Sequence, residues 1–239
     1  MKILAIDTAT AASSVALGDG DQLLAMSLRV DRVGHLSFLA PAIDMLFDQV
    51  GWSARDLDAV AVNVGPGPYT GLRIGVATAQ AVAASIGIPI IPVGSLTALA
   101  WRAATGRRRI WPVIDMRRRQ VATQAFMPVP GGVVADGPAQ VVSAEEFHTL
   151  LSSDDAETLV VGDVGAIGDG FLDRIQRAKQ GRPRYPSADV VFEIANLQAK
   201  SGEFSTVDDI RPRYMREVDA DISWKEFRVE GVWPGSEPS

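Results

Sequence analysis

The sequence predicts an α/β protein in which a βββαβα pattern is laid down twice along the chain. Three observations carry this. Short apolar runs of strand length alternate with longer runs of helical spacing. A strand, a tight loop and a helix are joined through Gly65-Pro66-Gly67-Pro68-Tyr69-Thr70-Gly71-Leu72-Arg73-Ile74-Gly75. After the polar break Gly106-Arg107-Arg108-Arg109 the pattern restarts with an apolar strand closed by an acid, Ile110 to Asp115, as Ile3 to Asp7 was. The break divides the chain into an expected N-terminal lobe, 1–106, a C-terminal lobe, 107–216, and a polar tail, 217–239, that holds Trp224 and Trp233.

Lys2 to Ile6 reads as a buried strand ending at Asp7-Thr8-Ala9-Thr10. Ser13 to Gly18 and Gln22 to Val30 are two further strands around the turn Gly18-Asp19-Gly20-Asp21. A helix is expected from Leu36 to Val50, a strand from Asp58 to Val64, and an Ala-rich helix after the Gly/Pro loop, ending at Ile86. Ile88 to Val93 is the fifth strand, and Ser95 can cap a third helix, Leu96 to Ala104. In the second half, strands are expected at Ile110 to Asp115, Gln120 to Phe126, Gly132 to Val142 and Thr158 to Val161. Ser143 with Glu146 three residues on marks a capping box, and Gly165 to Lys179 and Val190 to Lys200 read as helices.

Composition bounds the function classes. A chain of 239 residues with 47% hydrophobic and 22% charged residues can build a core of one large or two ordinary domains. It has no cysteine, which excludes disulfides, thiolate nucleophiles and Cys-type zinc sites. A net charge of -6 argues against a broad nucleic-acid surface on this chain. The acid at Asp7 comes too early for a signal-peptide core, and the apolar run from Ile74 to Val93 is broken by Gly75, Gln80, Gly87, Pro89 and Pro92. A cytoplasmic protein without a membrane span is expected.

The Gly/Pro loop opens onto a helix N-terminus, whose unpaired N–H groups and partial positive charge can cradle an anion. It can equally be a stiff turn that places the helix. With the strand-end acids, the candidates for a nucleotide or anion site are Asp7, Thr8, Thr10, Gly65, Gly67, Thr70 and Asp115. Alternatively, Asp7 is a turn acid bonded to its own backbone. His35 and His148, the two histidines, lie in different halves with no second histidine three or four residues away, so no helical two-histidine metal site exists. G-x-S-x-G and the Walker P-loop are absent. The triplets Arg107-Arg108-Arg109 and Arg117-Arg118-Arg119 read as solvated turns, the second between two strands.

Two helices are more apolar than a single sheet contact requires. In the first, Leu36, Leu39, Ile43, Leu46 and Val50 follow a heptad-type seam beside Phe38, Ala42 and Met45. In the second, Gly71, Gly75, Ala79 and Ala83 recur every fourth residue as a small-residue ridge, and Arg73 is the only charged side chain between Asp58 and Arg102. Such a ridge suits close approach of another helix, or a helix buried within its own domain.

Ile6-Asp7-Thr8-Ala9-Thr10, His35 before the first helix, the Gly/Pro loop through Gly75, Val113-Ile114-Asp115-Met116-Arg117 and Pro212-Arg213-Tyr214-Met215-Arg216 together resemble the TsaB (YeaZ) family. The resemblance spans about residues 1 to 216, and the Gly/Pro loop is its specific part. It implies an ASKHA (actin/Hsp70-like) fold of two RNase H-like lobes. It implies a non-catalytic subunit that pairs with the larger paralogue TsaD and the ATPase TsaE, in placing threonylcarbamoyl on N6 of A37 in tRNAs reading ANN codons. In that scheme tRNA is met through the complex, ATP and the metal belong to the complex and its partner, and this chain holds no cofactor. TsaD-like proteins carry His-Met-Glu-Gly-His after the fifth strand, where this chain has Ser95-Leu96-Thr97-Ala98-Leu99, so the metal pair is missing. The family's dimer surface falls on the first two helices, which points to Leu36, Leu39, Ile43, Leu46, Gly71, Leu72, Gly75 and Ala79 as interface residues. The same surface is expected to form a homodimer when the partner is absent. The alternative is an enzyme in its own right, an ATP phosphotransferase of the ASKHA type or an M22-like peptidase.

Overall fold

The computed structural model describes residues 1–31 and 34–215; the expected tail, 217–239, lies outside them. In the N-terminal half, β1 (Lys2–Asp7), β2 (Ala12–Asp19), β3 (Gln22–Val30), β4 (Ala59–Gly65) and β5 (Ile90–Gly94) form a five-stranded sheet in the order β3-β2-β1-β4-β5. β1 is antiparallel to β2 and parallel to β4. In the second half, β6 (Arg109–Asp115), β7 (Gln120–Thr123), β8 (Phe126–Val129), β9 (Gly132–Ala135), β10 (Gln140–Ser143), β11 (Thr158–Gly162) and β12 (Ala178–Gln180) form a sheet with main path β10-β7-β6-β11-β12. The two paths are topologically the same, so the internal duplication is real. The hairpin of β8 and β9 is an insertion, paired to β6 through Ile110 and Phe126.

Strand alternation distributes the core. Leu4, Ile6, Val60 and Val62 face helices α1 (His35–Val50) and α2 (Tyr69–Ile86). The opposite face is built from smaller residues, Ala5, Ala16, Ala59 and Ala61, and meets α5 (Ala188–Lys200). Gly18 is required there: a Cβ would run into the Phe192 ring. The second sheet is covered on one face by α4 (Ala144–Ser153) through Phe147 and Leu151, and on the other by α3 (Ser95–Ala103) through Leu96, Leu99 and Ala100.

Several expectations need correction. The lobes in space do not follow the cut at residue 106, because α3 covers the second sheet and α5 crosses back to cover the first. The segment after α5 also returns to the first lobe: Ser205 bridges Ile90, and the Arg213 N–H donates to the Val64 carbonyl at 2.7 Å. The expected helix from 165 to 179 is instead two 3₁₀ turns, Val164–Ile167 and Phe171–Arg174, followed by β12, with positive φ at Gly168 and Gly170 breaking the path. The stretch 120–142 makes four short strands rather than two. Ser95 is the first residue of α3 rather than its cap.

Candidate partner face and interlobe cleft

The Gly/Pro loop closes over the end of β1. Gly65 adopts φ 108°, and the chain enters α2 at Tyr69, so Gly71 and Gly75 are helical. A Cβ at Gly67 would overlap the Ala9 carbonyl, one at Gly71 the Thr8 carbonyl, and one at Gly75 the Thr8 hydroxyl. Thr8 Oγ1 donates to the Gly71 carbonyl at 2.7 Å. The glycines therefore let the helix settle directly on the Thr8-Ala9 backbone, with no room for a side chain at any of the three positions. Thr70 is exposed on the first turn, outside this contact.

Behind the loop lies a buried polar chain. Asp7, fully buried, accepts through Oδ1 from the Ala9 N–H and Asn63 Nδ2, each at 2.9 Å. Asn63 Oδ1 accepts from the Gly65 N–H at 3.0 Å and from Ser95 Oγ at 2.7 Å. Asp7 Oδ2 has no hydrogen-bond partner among the described residues. Burial pushes the Asp7 carboxyl up to about 6, with the Ala9 and Asn63 donors pulling it back. Ser95 and Leu99 are both fully buried, Ser95 in this chain and Leu99 in the α3 core, so neither position presents a metal ligand. The residues at the TsaD-like metal position do not fit a metal.

A cavity of about 110 Å³ lies between the lobes, lined by Thr10, His35 and Pro68 from the first and by Asp115, Arg117 and Arg184 among others from the second. His35, the first residue of α1, meets Ser13 Oγ through Nδ1 at 2.5 Å, and its partial burial lowers its pKa. Asp115 accepts from the Arg117 N–H at 2.7 Å, the behaviour of a turn acid, and Arg117, Arg118 and Arg119 hold φ of 63°, 52° and 60° at the β6–β7 turn. Asp7 does not line this cavity. The seven anion-site candidates are thus not brought together: Asp7, Thr8, Gly65 and Gly67 are packed inside, Thr70 is outside, and only Thr10 and Asp115 border the cleft.

The two helices that looked too apolar stand side by side on one face of the first sheet. The expected interface splits into two parts. Leu39, Ile43, Leu46, Leu72, Gly71, Gly75 and Ala79 point inward and are buried in their own lobe, so the small-residue ridge meets β1 rather than a partner. Leu36 stays 70% exposed. What is exposed is Leu36, Ser37, Ala40, Pro41, Asp44, Met45, Asp48 and Gln49 on α1, with Thr70, Arg73, Ala77, Ala81, Ala84 and Ser85 on α2. The α2 row follows three- and four-residue spacing, one helix face offset from the ridge. At its N-terminal end the Arg73 guanidinium lies 3.9 Å from the Tyr69 ring centroid, and Nε donates to the Tyr214 hydroxyl at 3.0 Å. Tyr69 and Tyr214 stack at 5.0 Å. The sequence analysis missed the outward row, which its three- and four-residue spacing could have marked, and nothing in the sequence links Tyr214 to Arg73, 141 residues away.

Duplicated sheets, two helices exchanged between them and a cleft at the ends of the parallel strands define a two-lobed protein of the ASKHA class. A solved activator of 2-hydroxyisocaproyl-CoA dehydratase from Clostridium difficile superposes with a TM-score of 0.50 at 12% identity, covering 85% of this chain and 97% of its own, a likeness of fold alone. Residues 31–140 match the family model of TsaD, tRNA N6-adenosine threonylcarbamoyltransferase. A Bacillus subtilis protein named tRNA threonylcarbamoyladenosine biosynthesis protein TsaB is 32% identical over 236 residues, 95% of this chain and 99% of the relative. YeaZ from Pseudomonas aeruginosa superposes with a TM-score of 0.77 at 26% identity, covering 89% and 99%. The chain belongs to the TsaB (YeaZ) family.

Proposed function

We propose that this chain is the non-catalytic, partner-activating subunit of tRNA threonylcarbamoyladenosine biosynthesis. It docks on a TsaD-type partner through the outward faces of α1 and α2, works with a TsaE-type ATPase, and meets tRNA only through the assembled complex. The observation that carries the biosynthetic role is the full-length likeness to the Bacillus subtilis relative of that name. The docking mode is supported by an outer face of α2 that carries no charge after Arg73, where a solvated helix would alternate charges. In isolation the same face pairs two copies. ATP and metal are assigned to the other subunits; in support, Asp7, Thr8, Gly65 and Gly67 are buried, and the residues at the metal position are the buried Ser95 and Leu99. Among the described residues no helix is long and apolar enough to cross a membrane, in keeping with work beside tRNA.

Reconstitution with a TsaD-type protein, a TsaE-type ATPase, ATP, threonylcarbamoyl-adenylate and unmodified tRNA tests this reading. Product should form only with the chain present, and Met45→Glu with Ala81→Arg, both at exposed positions, should remove it while leaving the fold intact. Tight stoichiometric binding of ATP by the isolated chain, or turnover without companions, would refute the assignment in favour of an enzyme.

A further inference from the structure

Arg73 is set apart from the other described guanidinium groups not by lacking an acid, which several share, but by the two aromatic side chains that hold it. It is the only charged side chain between Asp58 and Arg102. It sits on the outward row of α2, four residues before Ala77 and eight before Ala81, at the rim of the face assigned to the partner. Among the described residues no carboxylate pairs with it, although the arginines at 29, 102, 109, 177 and 184 all have one. Two aromatic rings fix it instead: Tyr69 lies under its plane, and Tyr214 takes the Nε hydrogen. That leaves both Nη groups, four N–H donors in a rigid fork, with no hydrogen bond to a described residue.

A guanidinium held this way has already lost most of its rotamer freedom, so a bidentate acceptor gains the hydrogen bonds at low entropic cost. The fork geometry matches a carboxylate. We infer that the Tyr69–Arg73–Tyr214 platform is the polar anchor of the partner face and receives an Asp or Glu side chain of the docked protein. This rests on the docking mode proposed above. It adds that the stretch carrying Tyr214, which returns to the first lobe after α5, is part of the interface.

Binding of the partner to the full chain, measured across a salt series, tests it. Arg73→Gln should weaken binding about 10- to 100-fold and flatten its salt dependence, since one close charge pair is removed. Tyr214→Phe, which keeps the stack and loses the Nε acceptor, should give a smaller loss with the salt dependence kept. Arg73→Gln binding within twofold of wild type, while Met45→Glu abolishes binding, would overturn the anchor and leave the docking mode standing. Loss of affinity with an unchanged salt slope would also overturn it, because a merely structural role would do that. If Met45→Glu and Arg73→Gln both bind as wild type, the docking mode itself fails. If Arg73→Gln spares the partner and weakens tRNA binding by the complex instead, the acceptor is a phosphate and the carboxylate assignment is wrong.

Discussion

Gly75→Ala decides which side of α2 the small-residue ridge serves. Replacing a glycine inside a helix by alanine normally stabilises by about 1 kcal/mol, because glycine loses more backbone entropy on folding. Gly75 has ordinary helical geometry, so nothing in its own backbone opposes the change. Its surroundings do. The new Cβ overlaps the Thr8 hydroxyl, which is buried and bonded to the Gly71 carbonyl at 2.7 Å. Overpacking of a filled core costs about 1–3 kcal/mol, and breaking a buried hydrogen bond costs about 1 kcal/mol more. The sum, less the helix gain, is a net loss of about 2 kcal/mol. For a body of this size that lowers the Tm by roughly 4–8 °C.

The test is a double-mutant cycle read by urea and thermal unfolding. Thr8 Cβ lies 3.6 Å from the added methyl group, an ordinary contact, so Thr8→Ala removes the whole clash. In that background Gly75→Ala should turn neutral or mildly stabilising, a coupling of about 2–3 kcal/mol. Gly71→Ala meets the Thr8 carbonyl, which no side-chain change relieves, so it should be destabilising in both backgrounds. Gly75→Ala that is as stable in the wild-type background as in the Thr8→Ala background would refute the inward assignment of the ridge and return Gly75 to the partner face.

Three further outcomes follow from the packing. Asp7→Asn should stabilise the protein above pH 6. The folded pKa of about 6 exceeds the ordinary 3.8, so the contribution of Asp7 is favourable below 3.8, is lost as pH rises through 6, and leaves a deficit of about 3 kcal/mol at higher pH. Unfolding midpoints from pH 4 to 8 should show the gap between variant and wild type opening over that window, and a gap independent of pH would be against it. A fragment ending at residue 106 should not fold alone, since the sheet face of Ala5, Ala16, Ala59 and Ala61 loses α5; a fragment with cooperative unfolding by circular dichroism would contradict the exchange. Phe192→Ala should cost about 3–5 kcal/mol, because its buried ring fills the notch over Gly18 and the strand backbone there cannot collapse into the space.

Much of the fold was legible because its signals are local. The acid-terminated strands at Asp7 and Asp115, the turn at Gly20 and the capping box at Ser143 and Glu146 all lie where residue types alone place them. The stretch from 164 to 180 was misread because its apolar residues, Val164, Ile167, Phe171, Leu172 and Ile175, have helical spacing while Gly168 and Gly170 impose positive φ. The exchange of α3 and α5 left no trace in either helix, since an amphipathic stripe records that a face is covered and not by which sheet. The site suffered from the same ambiguity. A small residue at every fourth position invites close approach by something, and a strand end of the same chain satisfies it as well as a partner helix does.

That ambiguity shows why the outer face of α2 matters. Gly71, Gly75, Ala79 and Ala83 turn toward the sheet, and the helix they draw in carries Ala77, Ala81 and Ala84 on its far side. These outer positions are not needed for packing, and lysine or glutamate there would favour both helix formation and solvation. Their smallness leaves a shallow, uncharged surface beside exposed Leu36 and Met45. A surface of small residues gains little from any one side chain, so its affinity must come from shape and from a few anchors at its edge. Arg73 and its two tyrosines are residues of the kind that supply such anchors, and a guanidinium covered without an acid opposite would oppose the docking it is meant to fix. Ala81→Lys therefore separates the roles of the two faces: unfolding should be unchanged within about 0.5 kcal/mol, as for an exposed helix position, while partner capture is lost. A variant that both folds and captures the partner normally would leave the bare face without a purpose.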